Sequence, residues 1–79
     1  MTLEIITPDK KIFSGEATAV TFPGTEGQFQ VLNNHAALVS TLGKGNIIVE
    51  GNGKETFIVD GGVVEVLNNK VLVLAEAIL

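Results

Sequence analysis

The chain has 79 residues, a formal net charge of −4, no cysteine and no arginine. That length allows one domain. Without cysteine there is no disulfide or thiolate metal site, as suits a reducing compartment, and five scattered lysines make no basic stripe to neutralise nucleic-acid phosphates.

The opening residues, MTLE, do not read as a signal peptide, and no apolar run approaches the roughly 20 residues of a bilayer span. "LEIIT" reads as a first strand, with Leu3 and Ile5 on one face and Glu4 and Ile6 on the other. Pro8 and Asp9 mark a turn. "KIFS" is a short second strand ended by Gly15. "EATAVTF" alternates Ala17, Ala19 and Thr21 against Thr18, Val20 and Phe22, and Pro23, which lacks a ladder donor, ends it. After the turn-rich "PGTEG", "QFQVL" points Phe29 and Val31 inward and Gln28 and Gln30 outward, until "NNH" breaks the alternation. "AALVSTL" fits a strand or a helical turn or two, and the extended form suits its surroundings better. Gly43, Lys44 and Gly45 then read as a sharp corner.

The second half reads as a meander: "NIIVE", turn "GNG", "ETFIVD", turn "GG", "VVEVL", turn "NN", "KVLVLAEA". Asn-Gly between β-branched runs is a hairpin signal, and Asn68 and Asn69 reach the left-handed region more cheaply than most residues. Eight to ten short strands at this spacing predict an all-β fold over residues 1–79, a flattened antiparallel sandwich or barrel.

Two segments carry more apolar residues than a half-buried antiparallel strand needs. In "KVLVLAEAIL" both alternating sets are apolar, Val71 and Val73 against Leu72 and Leu74, and in "NIIVE" Ile47, Ile48 and Val49 are consecutive. Either these strands are covered on both sides, or one sheet offers an apolar patch to another protein.

Chemistry-bearing patterns are absent. Ser14, Ser40 and His35 are not accompanied by a GxSxG elbow. One histidine without cysteine is a poor zinc set. Glu4, Glu16, Glu50, Glu55, Glu65 and Glu76 fall where the solvated faces of strands or turns would fall, and no glycine run forms a phosphate cradle. No catalytic residue, metal or cofactor is expected. His35, in "GQFQVLNNHAAL", has two main readings: a loop residue bonding nearby backbone, or part of a contact surface.

The order of these pieces resembles the N-terminal β-sandwich domain of the epsilon subunit of F-type ATP synthases (delta in mitochondria). "LEIITPDKKIFSGEATAVTFPGTEG" is similar to the family's opening. "GQFQVLNNHAALVSTLGKG" resembles GEFGILPGHAPLLTxLxxG, and "FIVDGGVVEVLNNKVLVLAE" resembles FxVSGGFxEVxxNxVTVLAD. Gln28 stands where the family often has glutamate, Gln30 replaces a frequent glycine, Asn33 and Asn34 replace proline–glycine, Ala37 a proline and Asp60 a common serine. The family's usual C-terminal helical hairpin is not among the 79 residues, so its inhibitory and ATP-binding roles are not carried over.

The resemblance implies a non-catalytic central-stalk subunit, without cofactor, that docks on gamma and on the polar loops of the c-ring and works with the α3β3 assembly. It helps couple ion-driven rotation to ATP synthesis, at the cytoplasmic face of the bacterial inner membrane. Its candidate contact residues are Gln28, Gln30, Asn33, Asn34, His35, Leu72 and Leu74. Two rival classes are a lipoyl or biotinyl carrier domain, with Lys54 or Lys70 as the modified residue, and a small sandwich module binding sugar or peptide. The carrier's usual residues beside the lysine are missing. A sugar site would lack Trp and Tyr for stacking, since Phe13, Phe22, Phe29 and Phe57 all suit core positions.

Overall fold

The computed structural model describes all 79 residues and contains only strands, turns and loops. The strands are β1 (Thr2–Ile6), β2 (Lys11–Glu16), β3 (Ala19–Gly24), β4 (Gly27–Leu32), β5 (Leu38–Gly51), β6 (Gly53–Leu67) and β7 (Lys70–Ala75). They form one hydrogen-bonded sheet in the order β2-β1-β7-β6-β5-β3-β4. The all-β class is as expected. The count is seven rather than eight to ten, because β5 and β6 are 14 and 15 residues long and run through glycines that read as breaks.

Those two strands turn the single sheet into a sandwich. In β5 the buried residue before the bend is Leu42, and after it Ile47 and Val49. In β6 it is Val59 before the bend, then Val64 and Val66. The inward set thus changes parity in both strands. The change falls between the pairs Leu42↔Gly62 and Lys44↔Asp60, where Gly43 faces Gly61. The two-stranded ribbon rolls over there without losing register. Gly61 and Gly62 have φ of 118° and 153°, values that side-chain-bearing residues rarely adopt. One layer contains β2, β1, β7, the end of β6 and the start of β5; the other contains the start of β6, the end of β5, β3 and β4.

Between the layers lies one apolar core. Phe22, Leu3, Ile5, Ile47, Val20, Val31 and Val73 are among its fully buried side chains. Phe13, Phe29 and Phe57 pack against it, as their positions in the sequence suggested. The Phe13 and Phe57 rings meet edge to face at 5.6 Å, closing β2 over the first half of β6.

Three further expectations are corrected. The sheet is not wholly antiparallel: β1 runs parallel to β7, from Thr2↔Lys70 to Ile6↔Leu74. Pro23 does not end β3; the strand continues to Gly24, and the β3–β5 register slips between Thr21 and Gly24, so the ladder is irregular where the proline has no N–H to give. Gly15 lies inside β2, not after it. Beyond β7 the chain stays extended. Its main chain pairs with the first half of β6 through Asp60 N–H to Ala77 O (3.1 Å) and Leu79 N–H to Ile58 O (2.8 Å).

Candidate contact surfaces

The seven candidate contact residues fall in three places. Leu72 and Leu74 lie on the outer face of β7, because Val71, Val73 and Ala75 take the inner one. Cross-strand register then dictates their neighbours. Ile6, Leu74 and Val63 form one row across β1, β7 and β6; Glu4, Leu72, Glu65 and Val39 form the next across β1, β7, β6 and β5. Val39 is 68% exposed, Leu74 47% and Val63 37%. A shallow depression of about 150 Å³ is lined by Val39, Val63, Leu72, Leu74 and Glu65. Glu4 stands at the edge of this apolar patch and Glu65 within it. Glu4 is bonded to Lys11 at 2.9 Å, whereas Glu65 has no ion-pair partner.

The other surplus segment behaves differently. Ile47 and Val49 are buried, and Ile48 is half-buried between Thr21 and Thr56 on neighbouring strands. It makes no patch. Of the two readings left open by the sequence, "NIIVE" takes the covered one and "KVLVLAEA" leaves apolar surface in solvent.

Gln28 and Gln30 are exposed on β4, on the outer face of the opposite layer, and Gln30 continues a row with Thr21, Ile48 and Thr56. The fold therefore does not bring the glutamines to the leucine patch.

Asn33, Asn34 and His35 occupy the loop that carries the chain from one layer to the other. Asn33 Oδ1 accepts a hydrogen bond from the Met1 main-chain amine. Asn34, with φ 63°, donates its N–H to Asn69 Oδ1 at 2.7 Å. The main-chain N–H of His35 reaches Leu32 O (3.2 Å), and its ring Nδ1 donates to Ala36 O (2.8 Å). The loop is tied to the β6–β7 turn and to the start of β1, while all three side chains stay exposed. His35 shapes its own loop and leaves Nε2 free for a neighbour.

Ile6, Val39 and Val63 belong to the patch but were not singled out from sequence. Their signal was the doubled valine of "VVEV" and the valine of "LVST", legible only once the parity change at Gly43 and Gly61 is known. Lys54 and Lys70, the lysines a carrier domain would use, do lie beside hairpin turns: Lys70 pairs with Leu67 to close the Asn68–Asn69 turn, and Lys54 faces Glu50 one pair from the end of the β5–β6 ladder. The residues that usually flank a carrier lysine are missing from both.

Comparison with known proteins is consistent along the chain. The profile of the family described as "ATP synthase, Delta/Epsilon chain, beta-sandwich domain" matches residues 1–79. The chain is 49% identical over 75 residues to the ATP synthase epsilon chain of Maridesulfovibrio salexigens, covering 94% of this chain and 53% of that protein. It is 43% identical over 79 residues to the epsilon chain of Chlorobaculum tepidum, covering 98% of this chain and 90% of that one. With several relatives, Maridesulfovibrio among them, it spans little more than half their length. Among solved structures, a chain in the Euglena gracilis mitochondrial ATP synthase (OSCP/F1/c-ring) superposes with a TM-score of 0.90 at 26% identity, over 98% of this chain and 51% of that one. A chain in the central stalk/c-ring structure of the Tetrahymena thermophila mitochondrial ATP synthase shares the fold, with a TM-score of 0.85 at 19% identity over 99% of this chain and 64% of that one.

Proposed function

The chain belongs to the ATP synthase delta/epsilon β-sandwich family, and on that premise we propose that it is a non-catalytic central-stalk subunit of a bacterial-type F-type ATP synthase. It docks on the gamma subunit through the Leu72–Leu74 face and meets the polar loops of the c-ring through the β4–β5 end, where Asn33, Asn34 and His35 lie. It helps couple ion-driven rotation to ATP synthesis and sits on the cytoplasmic face of the inner membrane through the complex. No helix is long and apolar enough to cross a membrane.

The observation that carries this reading is the four-strand apolar patch of Ile6, Leu72, Leu74, Val63 and Val39. A domain this small has little reason to leave several large aliphatic side chains in water on one face unless a partner covers them. The rest suits transmission of force rather than chemistry: a close-packed core between two layers, and a loop tied at both ends.

Calorimetry of the purified chain with the gamma subunit of the same organism, with and without detergent-solubilised c-ring, tests it. One-to-one binding to gamma is expected. Leu74→Glu is expected to weaken it by about tenfold or more, since a charge would be buried in the contact. The unfolding midpoint should hardly move, because Leu74 already faces solvent. A folded chain that does not bind gamma would refute the reading, and full binding by the Leu74→Glu chain would mean that the wrong face has been chosen.

A further inference from the structure

The sandwich has four lines of strand edge, two to each layer; the short start of β5 (38–41) has its Thr41 carbonyl taken by the N–H of Thr25, and of the other three, two are defended. At β2, the register slips by a bulge opposite Ile5 and Ile6, Lys11 and Glu16 place charges at the two ends, and Phe13 clamps the strand onto Phe57. Along the first half of β6, residues 76–79 lie against the edge and pair with it. These are the usual devices that stop an edge from pairing with another chain.

β4 has none of them. It ends the sheet and pairs only with β3, in unbroken register from Ala19↔Leu32 to Gly24↔Gly27. Its six residues, GQFQVL, contain no charge and no proline. The direction of its main-chain groups follows from the hairpin. Thr25 and Glu26 form a two-residue loop, so Gly24 and Gly27 are the bonded pair that closes it. Alternation makes Pro23↔Gln28 a non-bonded pair, as a proline without N–H requires, and Phe22↔Phe29 bonded again. The N–H and C=O groups of Gln28 and Gln30 therefore point away from β3, towards the open side. Leu32 is the next in that series, and its carbonyl is already taken by the N–H of His35.

We infer that the β4 edge is a strand-addition site, where an extended, uncharged segment of the gamma subunit pairs with the main chain of Gln28 and Gln30. This rests on the stalk reading above and deepens it. The recognition is made by backbone, with the two glutamine side chains flanking it on the outer face. An uncharged occupant fits because no residue of β4 offers a charge to meet one. A second copy of this chain is a poorer fit, because two molecules of net charge −4 repel.

Amide hydrogen exchange on the full chain, alone and with purified gamma, decides this. The Gln28 and Gln30 amides are expected to exchange fast in the free chain and to slow by at least an order of magnitude in the complex. Gln30→Pro, which removes one outward donor and leaves the β3 ladder intact, should raise Kd about tenfold over that of Gln30→Ala, which loses the same side chain but keeps the donor. Where the proline variant does not fold, the exchange experiment on the unaltered chain is sufficient. Binding to gamma with both amides still fast would overturn the edge proposal and leave the stalk reading standing, whereas absence of any binding to gamma overturns both. Protection that depends on chain concentration without gamma, or that needs the c-ring, would assign the edge to another occupant and refute this one.

Discussion

A Cβ built at Gly62 falls 2.3 Å from the carbonyl oxygen of Leu74, a main-chain atom held by the β6–β7 ladder. Neither strand has room to give, and φ there is 153°. Gly62→Ala is expected to cost about 3 kcal/mol or more, combining strain with overpacking. Gly27 provides the comparison. Its φ is 126°, but a Cβ there meets nothing within 4 Å, so Gly27→Ala should cost about 1–3 kcal/mol from the dihedral alone. Urea unfolding of the two variants separates the terms; equal losses would contradict the steric account. The turn residues were legible at this scale. Asn68 and Asn69 do adopt φ of 51° and 61°, as their short polar side chains suggested. His35 was legible as a loop residue, since its own carbonyl neighbour is the natural partner for its ring. That Gln28 and Gln30 lie far from Leu72 and Leu74 was not, because a strand's alternation gives sidedness within a layer but not which layer it joins.

In β7, neighbouring residues have opposite fates. Val73 is fully buried and Leu74 is 47% exposed. Val73→Ala should cost about 2 kcal/mol, through lost burial and the cavity left behind. Leu74→Ala should change stability by less than ~0.5 kcal/mol, although it removes the larger group. Denaturant titration of both checks the assignment of faces, and a reversal would invert the proposed contact surface. The short strands were readable because alternation is a local property: Leu3 and Ile5, Phe29 and Val31, and Val71 and Val73 all point inward as their spacing requires. The two long strands were not. Gly43–Lys44–Gly45 and Gly61–Gly62 look like chain reversals because a reversal and a roll of paired strands both call for backbone freedom that glycine supplies. Only the partner strand tells them apart, and it is recognised by register, a non-local quantity. The same holds for β1, whose parallel pairing to β7 joins segments nearly 70 positions apart and leaves no local trace.

At the scale of the whole molecule, family likeness was legible because it depends on the order of many weak motifs, and order survives the replacement of glutamate, proline and glycine between Gln28 and Ala37. Which residues share a surface depends on how the layers close, and that emerges only with the fold. The closing pair itself has a mechanical consequence. Because β1 and β7 point the same way, the outer end of the first and the outer end of the last lie at opposite limits of their shared ladder. Tension applied between them loads all the rungs from Thr2↔Lys70 to Ile6↔Leu74 at once, in shear, instead of peeling them apart one by one. Stretched between those two strands, the domain should hold to a higher force than when pulled across the β3–β4 hairpin, whose antiparallel rungs unzip in succession. Single-molecule force spectroscopy in the two directions makes the comparison. The molecule is thereby a clamp along one axis and a zipper along another, a directional stiffness suited to a part that is loaded as something turns.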